Sequence, residues 1–212
     1  LVVNNTKVFP ARIYGQKETG GKVEMLLLSF PELHQQGEYW YGKALALIKS
    51  SKRPKPGSKI FFAGNLQARV ENILPDGKVQ VKLSCPAGAN LETLLEEHGE
   101  VPLPPYIRRP DGSTTEDLQR YQTKYAQHTG SVAAPTAGLH FSASLMQKIT
   151  KNDIQQVAVT LHVGYGTFAP VRSNDIREHQ IHKEFVSIPE KTAKAINTTR
   201  ERGGRIWAVG TT

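Results

Sequence analysis

Residues 75–85, Pro-Asp-Gly-Lys-Val-Gln-Val-Lys-Leu-Ser-Cys, decide the fold of the first half of this 212-residue chain. Pro75-Asp76-Gly77 is a turn: proline presets one backbone angle, aspartate bonds its own backbone, and glycine tolerates positive φ. After it Val79, Val81, Leu83 and Cys85 alternate with Lys78, Gln80, Lys82 and Ser84. Period two is the mark of a strand buried on one face. Working outward, Ala68-Arg69-Val70 and Ile60-Phe61-Phe62 begin two further strands, and Leu45 and Leu47 lie on another. Val23, Met25 and Leu27 form a strand joined to the one around Ala11 and Ile13 by the hairpin turn Thr19-Gly20-Gly21. Six short strands with regular turns predict a small antiparallel barrel or sandwich over residues 7–101, and the barrel is expected because closure removes exposed sheet edges.

The pattern changes at Val101-Pro102-Leu103-Pro104-Pro105, which resists helix and marks a domain boundary. Beyond it, helices are predicted over Glu116–His128, Ser142–Lys151 (Leu145 and Ile149 inward) and Pro189–Arg202, and strands over Ile154–Val163 and Arg205–Val209. This alternation predicts an α/β domain of residues 1–6 and 102–212, with the barrel as an insertion. The fold class is therefore α/β plus all-β. The strand at Arg205–Val209 runs out with little after it, and no initiator methionine opens the chain, so a fragment is expected.

No stretch approaches the roughly 20 apolar residues of a membrane span. The single cysteine, Cys85, rules out an internal disulfide and a cysteine-rich zinc site, and a reducing, cytoplasmic setting is the default. Net charge is +8, with +3 in residues 1–100 and +5 in residues 101–212. A broad positive surface suits a polyanionic partner, although ordinary solubility charge explains the excess equally well. Arg108-Arg109 and the cluster Lys49, Lys52, Arg53, Lys55 and Lys59 are candidate phosphate contacts; in the second, a Pro/Gly-rich loop, solvated lysines are the plainer reading.

Two runs carry the chemistry: Ser-Val-Ala-Ala-Pro-Thr-Ala-Gly-Leu-His-Phe (131–141) and Leu-His-Val-Gly-Tyr-Gly-Thr-Phe-Ala-Pro-Val (161–171). Each sets a histidine among small residues that let a ligand approach the backbone. His140 and His162 are proton-transfer groups for near-neutral pH, and Pro135, Thr136, Gly138, Gly164, Gly166 and Thr167 are the candidate substrate cradle. Strand-then-glycine loops bind nucleotides in α/β sheets, although Gly164-Tyr165-Gly166-Thr167 lacks the full dinucleotide spacing. His179, His182 and Glu184 in His-Gln-Ile-His-Lys-Glu can serve proton relay, anion contact or metal; the spacing is not that of a helical zinc site, and no metal is assigned. Ser113 and Ser131 lack a nucleophile-elbow context. Tyr121-Gln122 offers a stacking and hydrogen-bonding surface, or Tyr121 is simply core.

Taken together these segments resemble one family, the S-adenosylmethionine:tRNA ribosyltransferase-isomerases of queuosine biosynthesis. The resemblance runs through Leu-Val-Val-Asn-Asn-Thr-Lys-Val-Phe-Pro-Ala-Arg (1–12), Gly-Gly-Lys-Val-Glu-Met-Leu-Leu-Leu (20–28) and Leu-Pro-Pro-Tyr-Ile-Arg-Arg (103–109). It continues through Arg-Tyr-Gln-Thr-Lys-Tyr-Ala (120–126), the two Gly/His runs, His-Gln-Ile-His-Lys-Glu (179–184) and Ala-Val-Gly-Thr-Thr (208–212). Ile181 stands where the family has methionine, and family members extend beyond both ends.

The resemblance implies that the aminomethyl group of a 7-deazaguanine at the tRNA wobble position attacks the ribosyl carbon of S-adenosylmethionine. Adenine and methionine leave, and an epoxycyclopentanediol forms. The chemistry needs a base beside the sulfonium, an acid for the departing adenine and a neutral amine; His140, His162, His182 and Glu184 are the implied catalytic set. Arg108, Arg109, Tyr121 and Gln122 join the cradle residues as substrate contacts. No cofactor is implied, S-adenosylmethionine being a co-substrate. The partner is the tRNA anticodon stem-loop, the protein a cytoplasmic monomer without membrane contact. Two alternatives stay open: an S-adenosylmethionine-dependent RNA methyltransferase, which would release S-adenosylhomocysteine, and a non-catalytic RNA-binding β-barrel, which has no use for the Gly/His runs.

Overall fold

The computed structural model describes residues 1–104, 106–110, 112–168, 175, 177 and 183–210. The chain divides into two compact units, Leu1–Val8 with Thr115–Thr212, and Phe9–Thr114.

The first unit opens with β1 (Val2–Asn4) and β2 (Thr6–Val8). The second unit follows: β3 (Arg12–Lys17), β4 (Lys22–Leu27), β5 (Leu33–Gln36), β6 (Tyr39–Ser50), β7 (Lys59–Phe62), β8 (Gln67–Ile73), β9 (Val79–Pro86), α1 (Leu91–His98) and β10 (Gly99–Glu100). Six of these strands close on themselves in the antiparallel order β3-β4-β6-β9-β8-β7-β3. Valines 79 and 81, Leu83 and Cys85 point inward beside Ile13, Val23, Met25, Ala46, Ile60 and Val70, all at most 2% exposed. On β6 the inward residues are Ala44 and Ala46, and Leu45 between them is 36% exposed. Closure happens at Gly15, which pairs with Phe62, and a Cβ there would collide with the Phe61 carbonyl and the Phe62 ring. Helix α1 is capped by Asn90, whose side chain accepts from the backbone of Glu92 and Thr93, and buries Leu91 and Leu95. β5 hairpins onto β6, and β10 adds to β3 through Gly99↔Ile13 and Glu100↔Arg12.

The proline-rich stretch at 102–105 lies inside the second unit, not at its edge. Val101 is buried and its N–H donates to Ser113 Oγ, so the chain stays with the barrel until Thr114.

The first unit resumes with α2 (Thr115–Arg120), β11 (His128–Ser131), α3 (Ala143–Lys151), β12 (Val157–His162), β13 (Phe185–Ser187) and α4 (Glu190–Glu201). The single helix expected over Glu116–His128 stops at Arg120. Its remaining residues are diverted by tertiary pairing: the N–H groups of Gln127 and His128 both donate to Asn5 O, and His128–Ser131 joins β2 as a parallel partner. Leu145 on α3 is 38% exposed, contrary to its expected inward placement; Ile149 is half-buried. The strand expected from Ile154 begins at Val157, where pairing with β1 begins. The buried strand expected over Arg205–Val209 is reduced to one parallel bridge, Val2↔Ala208, with Trp207 65% exposed. Pro189 sits immediately before α4 as its cap.

Strand order in the larger sheet is β1-β12-β13, with β1 parallel and β13 antiparallel to β12. The opening strand is thus shared: Val2–Asn4 pairs with β12 and Thr6–Val8 with β11. Where it changes partner, side chains replace the peptide ladder. Asn4 Nδ2 donates to Leu161 O (2.9 Å), and Asn4 Oδ1 accepts from Leu161 N (3.0 Å) and Thr6 N (3.1 Å). Thr160 Oγ1 donates to Asn5 Oδ1 (2.7 Å). Both asparagines are buried, so these bonds satisfy amides that would otherwise be stranded.

Candidate active site

The two Gly/His runs leave the carboxyl ends of the parallel strands β11 and β12, the position where open α/β sheets bind ligands. They are knitted together: Val132 N donates to Val163 O (3.1 Å), and Val163 N donates to Ser131 Oγ (2.8 Å).

His162 ends β12 and is held on every side that the described residues reach. Its Nδ1 lies 2.8 Å from Thr6 Oγ1, which lies 2.6 Å from Ser131 Oγ. The imidazole packs face-on against Gly130, where a Cβ would meet Cε1, Nε2 and Nδ1 together. Phe185 on β13 stacks on the ring, centroids 5.4 Å apart and planes 22° off parallel. Burial pushes the His162 pKa down, and the neighbouring His128 pushes it further, so protonation of the ring is disfavoured.

Glu184 precedes Phe185, and its Oε1 accepts from Gly164 N (2.8 Å). The carboxylate is thereby anchored to the turn that follows β12, in which Thr167 N donates to Gly164 O. His162, Gly164 and Glu184 are thus brought together, and Gly166 and Thr167 belong to the same turn.

The second run forms a tight turn over Thr136–His140, with Gly138 N donating to Pro135 O. Gly138 is buried because Tyr125 Oη and Thr123 occupy the space of a side chain. Phe141 meets Tyr125 edge-on at 6.5 Å. Thr136 and His140 are exposed. Among the described contacts nothing ties His140 to His162. His182, like His179, lies outside the described residues.

The other candidates sit elsewhere. Tyr121 is 5% exposed, in the core. Gln122 grips β2 with both ends of its amide: Oε1 accepts from Val8 N (3.0 Å) and Nε2 donates to Val8 O (2.6 Å). Arg108 and Arg109 are exposed on the barrel unit.

Sequence reasoning passed over Thr6, Ser131, Gly130 and Phe185, which fix His162. The signal for the first was present in Asn4-Asn5-Thr6-Lys7, four polar residues between the apolar Leu1-Val2-Val3 and Val8-Phe9.

A sequence profile described as "Queuosine biosynthesis protein" matches residues 1–212. Relatives named S-adenosylmethionine:tRNA ribosyltransferase-isomerase include one from Desulfotalea psychrophila, 53% identical over the whole chain, and one from Geotalea uraniireducens, 47% identical. The chain spans 58% and 59% of their lengths. A crystal structure of an S-adenosylmethionine tRNA ribosyltransferase from Thermotoga maritima is 25% identical, aligned over 98% of this chain and 50% of that one, with a TM-score of 0.28. With its full length matched by the family profile and about half its residues shared with those relatives, the chain belongs to the queuosine biosynthesis protein family.

Proposed function

We propose that the protein carrying this chain transfers and isomerises the ribosyl group of S-adenosylmethionine onto the aminomethyl group of 7-aminomethyl-7-deazaguanine at the tRNA wobble position. The product is epoxyqueuosine, with adenine and methionine released. One observation carries the reading: a clamped His162 stands at the end of β12, and a carboxylate, Glu184, is anchored to the next turn, in a chain 53% identical to a relative named S-adenosylmethionine:tRNA ribosyltransferase-isomerase.

The steps ask for groups of this kind. A proton beside the sulfonium must be removed and the departing adenine protonated, both at a site shielded from bulk water. His162 and Glu184 are assigned to that proton traffic, with His140 and His182 as further members. The turns at 135–138 and 164–167 form the cradle for S-adenosylmethionine. These transfers are polar and call for no metal or redox cofactor. On this reading the protein works in the cytoplasm as a monomer. It meets the anticodon stem-loop, whose unstacked bases can be splayed out and read, and Arg108 and Arg109 supply phosphate contacts.

The test is product analysis with tRNA bearing the 7-aminomethyl-7-deazaguanine. Adenine and methionine in equal amounts, dependent on the tRNA, are expected. S-adenosylhomocysteine in their place would mean a methyltransferase, and RNA binding without turnover a non-catalytic module.

A further inference from the structure

The buried hydroxyls behind His162 fix where its proton sits. Val163 N–H is only a donor, and it donates to Ser131 Oγ. Ser131 is fully buried, and among the described residues Thr6 Oγ1 is the acceptor within reach of its hydroxyl proton. Ser131 therefore donates to Thr6. Thr6, also fully buried, then turns its own proton away from Ser131, toward its remaining partner, His162 Nδ1 at 2.8 Å. A hydroxyl carries one proton, so the direction runs one way along the chain. The reverse order would leave the Ser131 proton buried without an acceptor.

We infer that Thr6 and Ser131 are positioning residues that hold His162 with Nδ1 as acceptor and its proton on Nε2, so that His162 meets the substrate as a hydrogen-bond donor. Among the described residues Nε2 has no protein partner, which leaves it for the ligand. The ring cannot swing away from this arrangement, since Gly130 and Phe185 pack against it. With its ring proton facing the ligand, His162 serves as a hydrogen-bond donor, and the role of base falls to another group, for which Glu184, held by Gly164 N, is placed. The inference rests on the transfer reaction proposed above; the tautomer itself does not.

The experiment is a long-range proton–nitrogen correlation spectrum of the protein labelled at histidine nitrogen, with His162→Gln identifying the resonance. Expected is a neutral ring protonated at Nε2. In Thr6→Val, close to the native shape but without the hydroxyl, the tautomers mix. Turnover there falls on the order of tenfold to a hundredfold in kcat, as when a positioned hydrogen-bond donor is weakened, with KM little changed. Thr6→Ser restores the Nε2–H form and most of the turnover, which a merely structural threonine would not require. A wild-type ring protonated at Nδ1, or a Thr6→Val spectrum indistinguishable from wild type, overturns the inference. Absence of adenine release from the wild type counts against the enzymatic reading alone, because the spectrum decides the tautomer without it.

Discussion

Gly130 and His162 are packed so closely that the face of the imidazole fills the space where any other residue at 130 would put its Cβ. The glycine is there for room and not for a positive φ, although it sits where the β11–β2 register shifts between Thr129 and Ser131. Gly130→Ala should push the ring off Thr6 and Phe185. Overpacking of this kind costs roughly 1–3 kcal/mol. Urea denaturation should report that loss, and adenine release per folded molecule should fall by more than the stability change explains. An alanine variant with native turnover would mean that the ring's position is unimportant to the chemistry.

His162 also gives the protein a pH signature. Its folded-state pKa is lowered, first by burial and then by His128, from the ordinary 6.5. The unfolded chain therefore takes up the proton first as pH falls. Stability is fully present above about 6.5, declines as pH drops through that value, and levels off once the folded-state pKa is passed. His162→Gln should flatten this part of the stability–pH curve, and His128→Asn should raise the His162 pKa as followed by NMR titration.

Asn4 replaces the peptide ladder where the first strand changes partner. Asn4→Ala strands the N–H and C=O of Leu161 and the N–H of Thr6. The expected loss is about 2–4 kcal/mol, read from chemical denaturation. Asn4→Asp keeps the acceptor and loses the donor to Leu161 O, so it too should destabilise.

In the barrel unit Leu95 is fully buried while Thr93, on the same helix, is exposed. Leu95→Ala should cost about 2–5 kcal/mol through lost burial and the cavity left behind. Thr93→Ala should stay within about 0.5 kcal/mol, the usual range for a surface change. Equal effects would mean that α1 is not packed as described.

Arg108 and Arg109 are exposed and carry the phosphate-binding assignment. Replacing both by alanine should weaken tRNA binding and flatten the dependence of log affinity on log salt by about 1.4–1.8, at 0.7–0.9 per phosphate. An unchanged slope would remove them from the interface.

The barrel was legible because its signals are local. Alternation through 79–85 with a turn at 75–77 needs no distant partner to be read. The helix at 116–128 was misread for the opposite reason: its amphipathic spacing is real, but pairing of Gln127 and His128 with Asn5 outweighs it. Propensity is a weak prior against tertiary bonding of that kind. The Gly/His runs marked candidate residues, of which the structure brings His162, Gly164 and Glu184 together. What holds His162 could not be read in the same way, because Thr6, Ser131 and Phe185 come from three separate stretches that only the sheet brings together.

The pairing of β10 with β3 has a consequence for assembly. Thr6 and Ser131 are 125 residues apart in sequence, a long loop to close before the site can form. Arg12 and Glu100 are neighbours once the barrel exists, which bridges most of that interval and shortens the remaining loop roughly threefold. Loop-closure entropy falls by about 0.6 kcal/mol per halving, so the tie is worth about 1 kcal/mol to the later step. The inserted barrel thus acts as a clasp that lets the strand carrying Thr6 find its partners, and a mutation that opened the barrel would slow formation of the His162 cluster, whose described members belong to the other unit.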